Sequence, residues 1–227
     1  YDYDTLVTPL NDIRVLGELL EEQYNARVTY LENPERRDIT KAFNNLKKRV
    51  SSVDNVLIFY AGHGWIDEDT DEGYWLPVDA EFDDDSNYIS NSYLRNKIKA
   101  LDAKNVLLMA DSCFSGSLVT RGVKLPNFKT SENYVQKYLD TKSRVTITSG
   151  GVKPVLDSAG GSHSIFAEAL IESLSSTERP LTSAELYLDL RDKVTIASTS
   201  LGIDQTPLRG EMINEGHEGP DFIFLPN

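Results

Sequence analysis

The chain has 227 residues, 40% hydrophobic and 26% charged, an ordinary globular composition long enough for one domain with a sizeable core. Its single cysteine, Cys113, excludes an intrachain disulfide and any metal site built on several cysteines, and its longest apolar runs, about seven residues, fall far short of the ~20 that span a bilayer. With 23 Lys and Arg against 36 Asp and Glu, the net charge is −13, which disfavours nucleic acid and anionic membranes and favours basic peptides, or in its plainest role keeps the surface soluble. No signal segment opens the sequence, so a reducing cytoplasmic location is expected.

Residues 9–24 place Ile13, Leu16, Leu19, Leu20 and Tyr24 at helical spacing, with Asn11 or Asp12 able to cap. Ala26 to Leu31 alternates and reads as a strand ending at Asn33-Pro34, and 37–51 reads as a second helix with Ile39, Phe43, Leu46 and Val50 on one face. Asn55 to Ala61 is continuously apolar, the pattern of a strand buried on both faces. A glycine- and acid-rich loop over 62–73 leads to a short strand at Tyr74–Pro77, a second acidic loop and a helix over 92–101. Asn105 to Ala110 is another central strand. Residues 114–133 lack periodicity and read as a long exposed loop; a strand at Val145–Thr148, helices at 164–174 and 181–200, a linker through Gln205-Thr206-Pro207 and a strand at Phe222–Leu225 complete the chain. The alternation predicts an α/β protein with a mostly parallel central sheet flanked by helices on both faces.

In such sheets ligands bind beyond the carboxyl ends of the strands. Two apolar strands end there in polar, glycine-containing segments, Tyr60-Ala61-Gly62-His63-Gly64 and Asp111-Ser112-Cys113-Phe114-Ser115-Gly116, and so deliver an imidazole and a thiol to one edge. A thiol attacks a carbonyl as thiolate, and a neighbouring imidazole can take its proton. Taken singly, each residue has a blander reading: a lone cysteine is usually a small buried hydrophobe and a lone histidine structural. Found together, 50 residues apart in sequence, they match the histidine-to-cysteine spacing of caspase-type enzymes.

These two boxes resemble those of caspase-like cysteine peptidases, nearest to the metacaspase and bacterial orthocaspase branch. The likeness extends to Leu10-Asn11-Asp12, Leu76-Pro77-Val78-Asp79, Thr148-Ser149-Gly150-Gly151, Gly161-Ser162-His163-Ser164-Ile165-Phe166 and Gln205-Thr206-Pro207. It implies a caspase-like fold in one peptidase domain over 1–227: a larger part to about residue 120, an exposed loop over about 119–143 and a smaller part over about 144–227. It also implies Cys113 as nucleophile, His63 as general base and acid, and an oxyanion hole from the backbone N–H groups of Gly64 and Cys113. Asp12 and Asp111 become the substrate-binding acids, specifying Arg or Lys before the scissile bond of a protein or peptide substrate. Read without the resemblance, Asp12 can be a plain helix cap and Asp111 a strand-end turn residue.

The sequence also departs from that family. Where calcium-dependent relatives cluster aspartates, it has Asp71-Glu72-Gly73-Tyr74, Ile89-Ser90-Asn91-Ser92 and Thr120, so neither a metal nor another cofactor is expected. The acidic stretch 67–72 reads as a solvated loop, His163 as structural and His217 as solvated, while Trp65 and Trp75 are either subsite walls or core. An apolar strand is expected before Tyr1, missing from this sequence or supplied separately. Regulation by a flanking domain or partner chain, or by cleavage within the basic stretch holding Arg121, Lys124 and Lys129, is consistent with the family. The alternatives are a relative with another primary specificity and a catalytically silent interaction module.

Overall fold

The computed structural model describes residues 3–112, 132–150 and 161–227. Cys113 and the basic positions Arg121, Lys124 and Lys129 lie outside them.

The centre is a four-stranded sheet of β1 (Asn55–Ala61), β5 (Asn105–Asp111), β6 (Ser143–Thr148) and β8 (Leu208–Glu211), in the order β1-β5-β6-β8. β1 and β6 both pair parallel with β5; β8 closes the far side antiparallel to β6. β5 is buried along its whole length and alternates between two cores, as a strand with both faces covered must. Leu107 and Met109 face α1 (Pro9–Tyr24), α5 (Ile165–Ser175) and α6 (Ser183–Ser200), joining Leu16, Phe166, Leu170, Leu174, Leu186 and Leu190. Val106, Leu108 and Ala110 face α2 (Arg36–Arg49) and α3 (Asn91–Lys99), joining Ile39, Phe43, Leu94 and Ile98. Each of these Val, Leu, Ile, Met and Phe side chains gains about 1.5–3 kcal/mol on burial. The predicted α/β layering and mostly parallel sheet are what the structure has.

Local sequence fixes the element boundaries. Thr182 caps α6 in a capping box with Glu185, so Leu181 and Thr182 form a two-residue strand, β7 (Leu181–Thr182), antiparallel to β9 (Ile223–Phe224), and the helix starts at Ser183. A second small sheet follows β1: β2 (Gly64–Asp67), β3 (Glu72–Trp75) and β4 (Ile89–Ser90), all antiparallel. Four expectations need correcting. Residues 26–31 are not in a strand, and β1 is the sheet edge on this side among the described residues. With one side of β1 unpaired by another strand, only Val56 is fully buried and Leu57 to Ala61 are half-buried. The supposed loop over 62–73 contains β2. Part of the supposed exposed loop is α4 (Glu132–Asp140), whose Tyr138 is buried and whose Val135 and Leu139 are partly covered, one apolar stripe at helical spacing.

Candidate active site

His63 leaves β1 at the sheet's carboxyl edge. Tyr60 stacks on Trp75 at 4.1 Å and 8°, and its hydroxyl donates to the His63 carbonyl at 2.6 Å. The N–H of Leu76 donates to the same carbonyl at 3.0 Å, and the N–H of Gly62 donates to the Asp111 carbonyl at 3.2 Å. A Cβ at position 62 would lie 2.7 Å from the Tyr60 hydroxyl oxygen, so a side chain there would push the Tyr60 ring from its place. Trp75 is therefore core, whereas Trp65 is 39% exposed. The Nε2 atom of His63 lies 2.6 Å from the carbonyl oxygen of Asp4. A carbonyl only accepts, so Nε2 carries the proton and Nδ1 is the basic nitrogen of the ring. The bond from Leu76 to His63 makes these two residues a hydrogen-bonded pair of the β2–β3 ladder. Strand alternation then makes Gly64 and Trp75 the non-bonded pair and turns the Gly64 N–H away from β3. Cys113 lies outside the described residues, two positions past Asp111, the last residue of β5.

The two predicted acids meet at one serine. Ser164 caps α5, its hydroxyl accepting from the Ala167 N–H at 2.9 Å. The same hydroxyl donates to Asp111 Oδ2 at 2.5 Å, while the Ser164 N–H points at Asp12 Oδ2 at 3.4 Å. Asp12 is 0% exposed and Asp111 7% exposed. Asp12 does not cap α1; it sits inside the first turn with its carboxylate directed at Ser164 and at Nδ1 of His163, 2.7 Å away. Burial pushes its pKa above the ordinary 3.8, against the lowering effect of its bonds to His163, Thr8 and Ser164. Asn11 donates to the Ser162 carbonyl at 2.8 Å and holds the same loop against α1. His163 is thus a partner of the acid pair, a role its sequence context did not reveal.

Further residues support this edge. Gln205 is buried and donates to the Ser149 carbonyl at 3.1 Å, while the Ser149 N–H donates to Ala110 at 2.9 Å, which anchors the end of β6 beside Asp111. The stretches 71–74 and 89–92 meet at Glu72: its oxygens accept from the N–H (2.7 Å) and hydroxyl (2.9 Å) of Ser92, with Arg95 3.8 Å away. Asp67 accepts from the Thr70 hydroxyl and the Asp69 N–H, which hold it below the usual carboxylate range. Among the described residues no cluster of three or more His, Cys, Asp or Glu could hold a metal ion. His217 is not solvated: its ring is enclosed, Nδ1 accepts from the Arg144 N–H at 3.1 Å, and burial lowers its pKa from 6.5.

Residues 1–214 match the sequence family described as the caspase domain. The chain belongs to that family. A caspase domain is in general a cysteine peptidase acting on protein substrates, and this protein is accordingly a caspase-like peptidase. No curated protein matches the sequence. Many solved structures share the fold, two of them as follows. Caspase-1 from Spodoptera frugiperda is 16% identical, with 91% of this chain and 79% of that one covered at a TM-score of 0.62. Protein GSU0716 from Geobacter sulfurreducens is 15% identical, with 92% and 86% covered at 0.59. Among the described residues of this caspase domain, no helix is long and apolar enough to cross a membrane.

Proposed function

We propose that this caspase domain is an endopeptidase that cleaves after Arg or Lys through a Cys113–His63 dyad. The observation that carries the proposal is the convergence of Asp12, from α1, and Asp111, from β5, on Ser164, at the sheet edge where His63 emerges. Two enclosed carboxylates with one serine between them match a guanidinium or ammonium group, which forms charge-assisted hydrogen bonds to both.

The chemistry follows from the tautomer of His63. With Nε2–H held by the Asp4 carbonyl, Nδ1 takes the thiol proton of Cys113, and the imidazolium formed is stabilised by the bond to Asp4. The thiolate attacks the carbonyl carbon before the scissile bond. The oxygen that becomes negative accepts from the N–H groups of Gly64 and Cys113. His63 returns the proton to the departing amine as the C–N bond breaks, leaving a thioester at Cys113. Water, deprotonated by His63, then releases the acid product and restores the thiol.

One observation favours a second reading. His163 lies 2.7 Å from Asp12, so when protonated it meets part of the pocket's charge before substrate arrives, which suits a primary specificity other than Arg or Lys. A panel of aminocoumarin amides ending in Arg, Lys, Ala or Asp separates the two. The Arg and Lys amides are expected to be cleaved at least a hundredfold faster than the Asp amide, and Cys113→Ala and His63→Ala to lose that turnover while remaining folded by circular dichroism. Wild-type-like turnover by Cys113→Ala would remove the dyad, and equal cleavage of the Arg and Asp amides would remove the specificity.

A further inference from the structure

The sheet of β2, β3 and β4 is joined to β1, the edge strand of the central sheet among the described residues, by the stack of Tyr60 on Trp75. Asp111 ends the neighbouring strand β5, paired with Ala61 of β1, so the acid pair is carried by the inner strand, whereas His63 and the small sheet follow β1. From His63 outward the surface is a row of rings. The Tyr3 ring is 5.7 Å from that of His63, and Phe82 is 4.2 Å beyond Tyr3. The Tyr3 hydroxyl is 2.5 Å from that of Tyr88, which in turn donates to the Glu81 carbonyl at 2.8 Å, so the row is tied to the segment that carries Phe82. Trp65 packs edge-on against Tyr88 at 5.7 Å. Phe82 is 62% exposed, and Glu81, Asp83, Asp84 and Asp85 around it are exposed too. A lone exposed phenylalanine is unremarkable. One continuing a ring row that begins at the catalytic imidazole is in a position to meet substrate.

The mechanism decides which part of the substrate. The residue before the scissile bond points its side chain to Asp12 and Asp111, while His63 hands its proton to the departing amine. The departing half of the peptide therefore passes on the His63 side, away from the acids. An extended peptide advances about 3.4 Å per residue, so its first residue reaches Tyr3 and its second or third reaches Phe82. We propose that Tyr3 and Phe82 form the subsite for these leaving-side residues, and that it selects aromatic or large apolar side chains, tolerates basic ones and rejects acidic ones. The inference rests on the peptidase reading above. The selection combines ring-on-ring contact at Phe82 with repulsion of carboxylates by the four acids around it.

The test uses quenched fluorescent peptides with Arg before the scissile bond and Phe, Gly or Asp as the second residue after it, together with an Arg aminocoumarin amide, which has no leaving-side residues. For the wild type, kcat/KM is expected to favour Phe over Gly about three- to tenfold, with Asp poorest and its deficit shrinking as salt rises from 0.05 to about 0.5 M. Phe82→Ala should bring the Phe-to-Gly ratio close to one, and Phe82→Leu should keep an intermediate ratio. A ratio taken within one variant does not depend on how much of that variant is folded. If the Arg amide is cleaved but the wild-type ratio is near one, or Phe82→Ala leaves it unchanged, the subsite is refuted and the peptidase reading stands. If no substrate is cleaved after Arg, both fall.

Discussion

Asp12 is held by its surroundings closer to the neutral form than a free aspartate, because its bonds to His163, Thr8 and Ser164 only partly offset its burial. A cationic substrate needs it ionised. The free enzyme should therefore lose kcat/KM for Arg substrates as pH falls, with a limb above 3.8, and Asp12→Asn should erase that limb along with most of the basic preference. The sign for stability is opposite. A carboxyl whose folded pKa is raised contributes stability below its unfolded value and loses it as pH rises through the folded one. Without ligand, Asp12→Asn should consequently melt at the same temperature or higher at pH 7, a trade of stability for binding. Asp111→Ala should weaken transition-state binding of Arg substrates by about 2–5 kcal/mol, because the guanidinium is left beside an incomplete pair. A pH–rate profile of each variant, with Tm measured alongside, tests both statements.

At the scale of elements, β6 is clamped by its own second residue. Arg144 is 1% exposed, and its guanidinium donates to the carbonyls of Lys104 (2.6 Å), Ala103 (2.7 Å), Ser143 (3.0 Å) and Leu101 (3.3 Å), so it ties the α3–β5 connection to β6. Arg144→Met should lower the free energy of unfolding by about 2–5 kcal/mol in urea titrations, since buried carbonyls lose their donors, and Arg144→Lys should recover only part, lacking the fork. An arginine inside a core strand has no hydrophobic signature, and β8 was illegible for the same reason: Leu208-Arg209-Gly210-Glu211 becomes a strand through its ladder with β6, and Arg209 is buried only because Asp221 pairs with it at 2.7 Å. By contrast, β5, α1, α2 and α5 could be read from apolar runs and spacing, because burial dictated the apolar face of each, and β1 from its apolar run although most of it is only half-buried. The acid pair was legible through its motifs. Its link through Ser164 and His163 was not, since a loop residue 151 positions from Asp12 gives no local signal. Nor was the Asp4 carbonyl, because a backbone atom leaves no mark on residue type.

For the whole molecule, two expectations concern how activity is switched on. Glu72 already spends its oxygens on Ser92 beside the positive charge of Arg95, a poor arrangement for a divalent cation. Activity against the Arg amide should accordingly be the same in chelator and in millimolar calcium, and a calcium requirement would mean a site built from other residues. Self-cleavage is expected after Arg121, Lys124 or Lys129 rather than at Arg144, which the sheet encloses. Incubating wild type beside Cys113→Ala and mapping new termini by mass spectrometry checks this. Such a cut would have a consequence for the acid pocket. Asp12 and Asp111 precede these bonds in the chain, whereas His163 and Ser164 follow them, so the substrate's side chain would rest on two separate polypeptides. Fragment association and ligand occupancy would then be linked equilibria: a basic inhibitor at a hundred times its Kd would strengthen the pairing of the two pieces by about 2.7 kcal/mol. The nicked protein would in turn bind that inhibitor more weakly on dilution, at concentrations where the uncut chain shows no change.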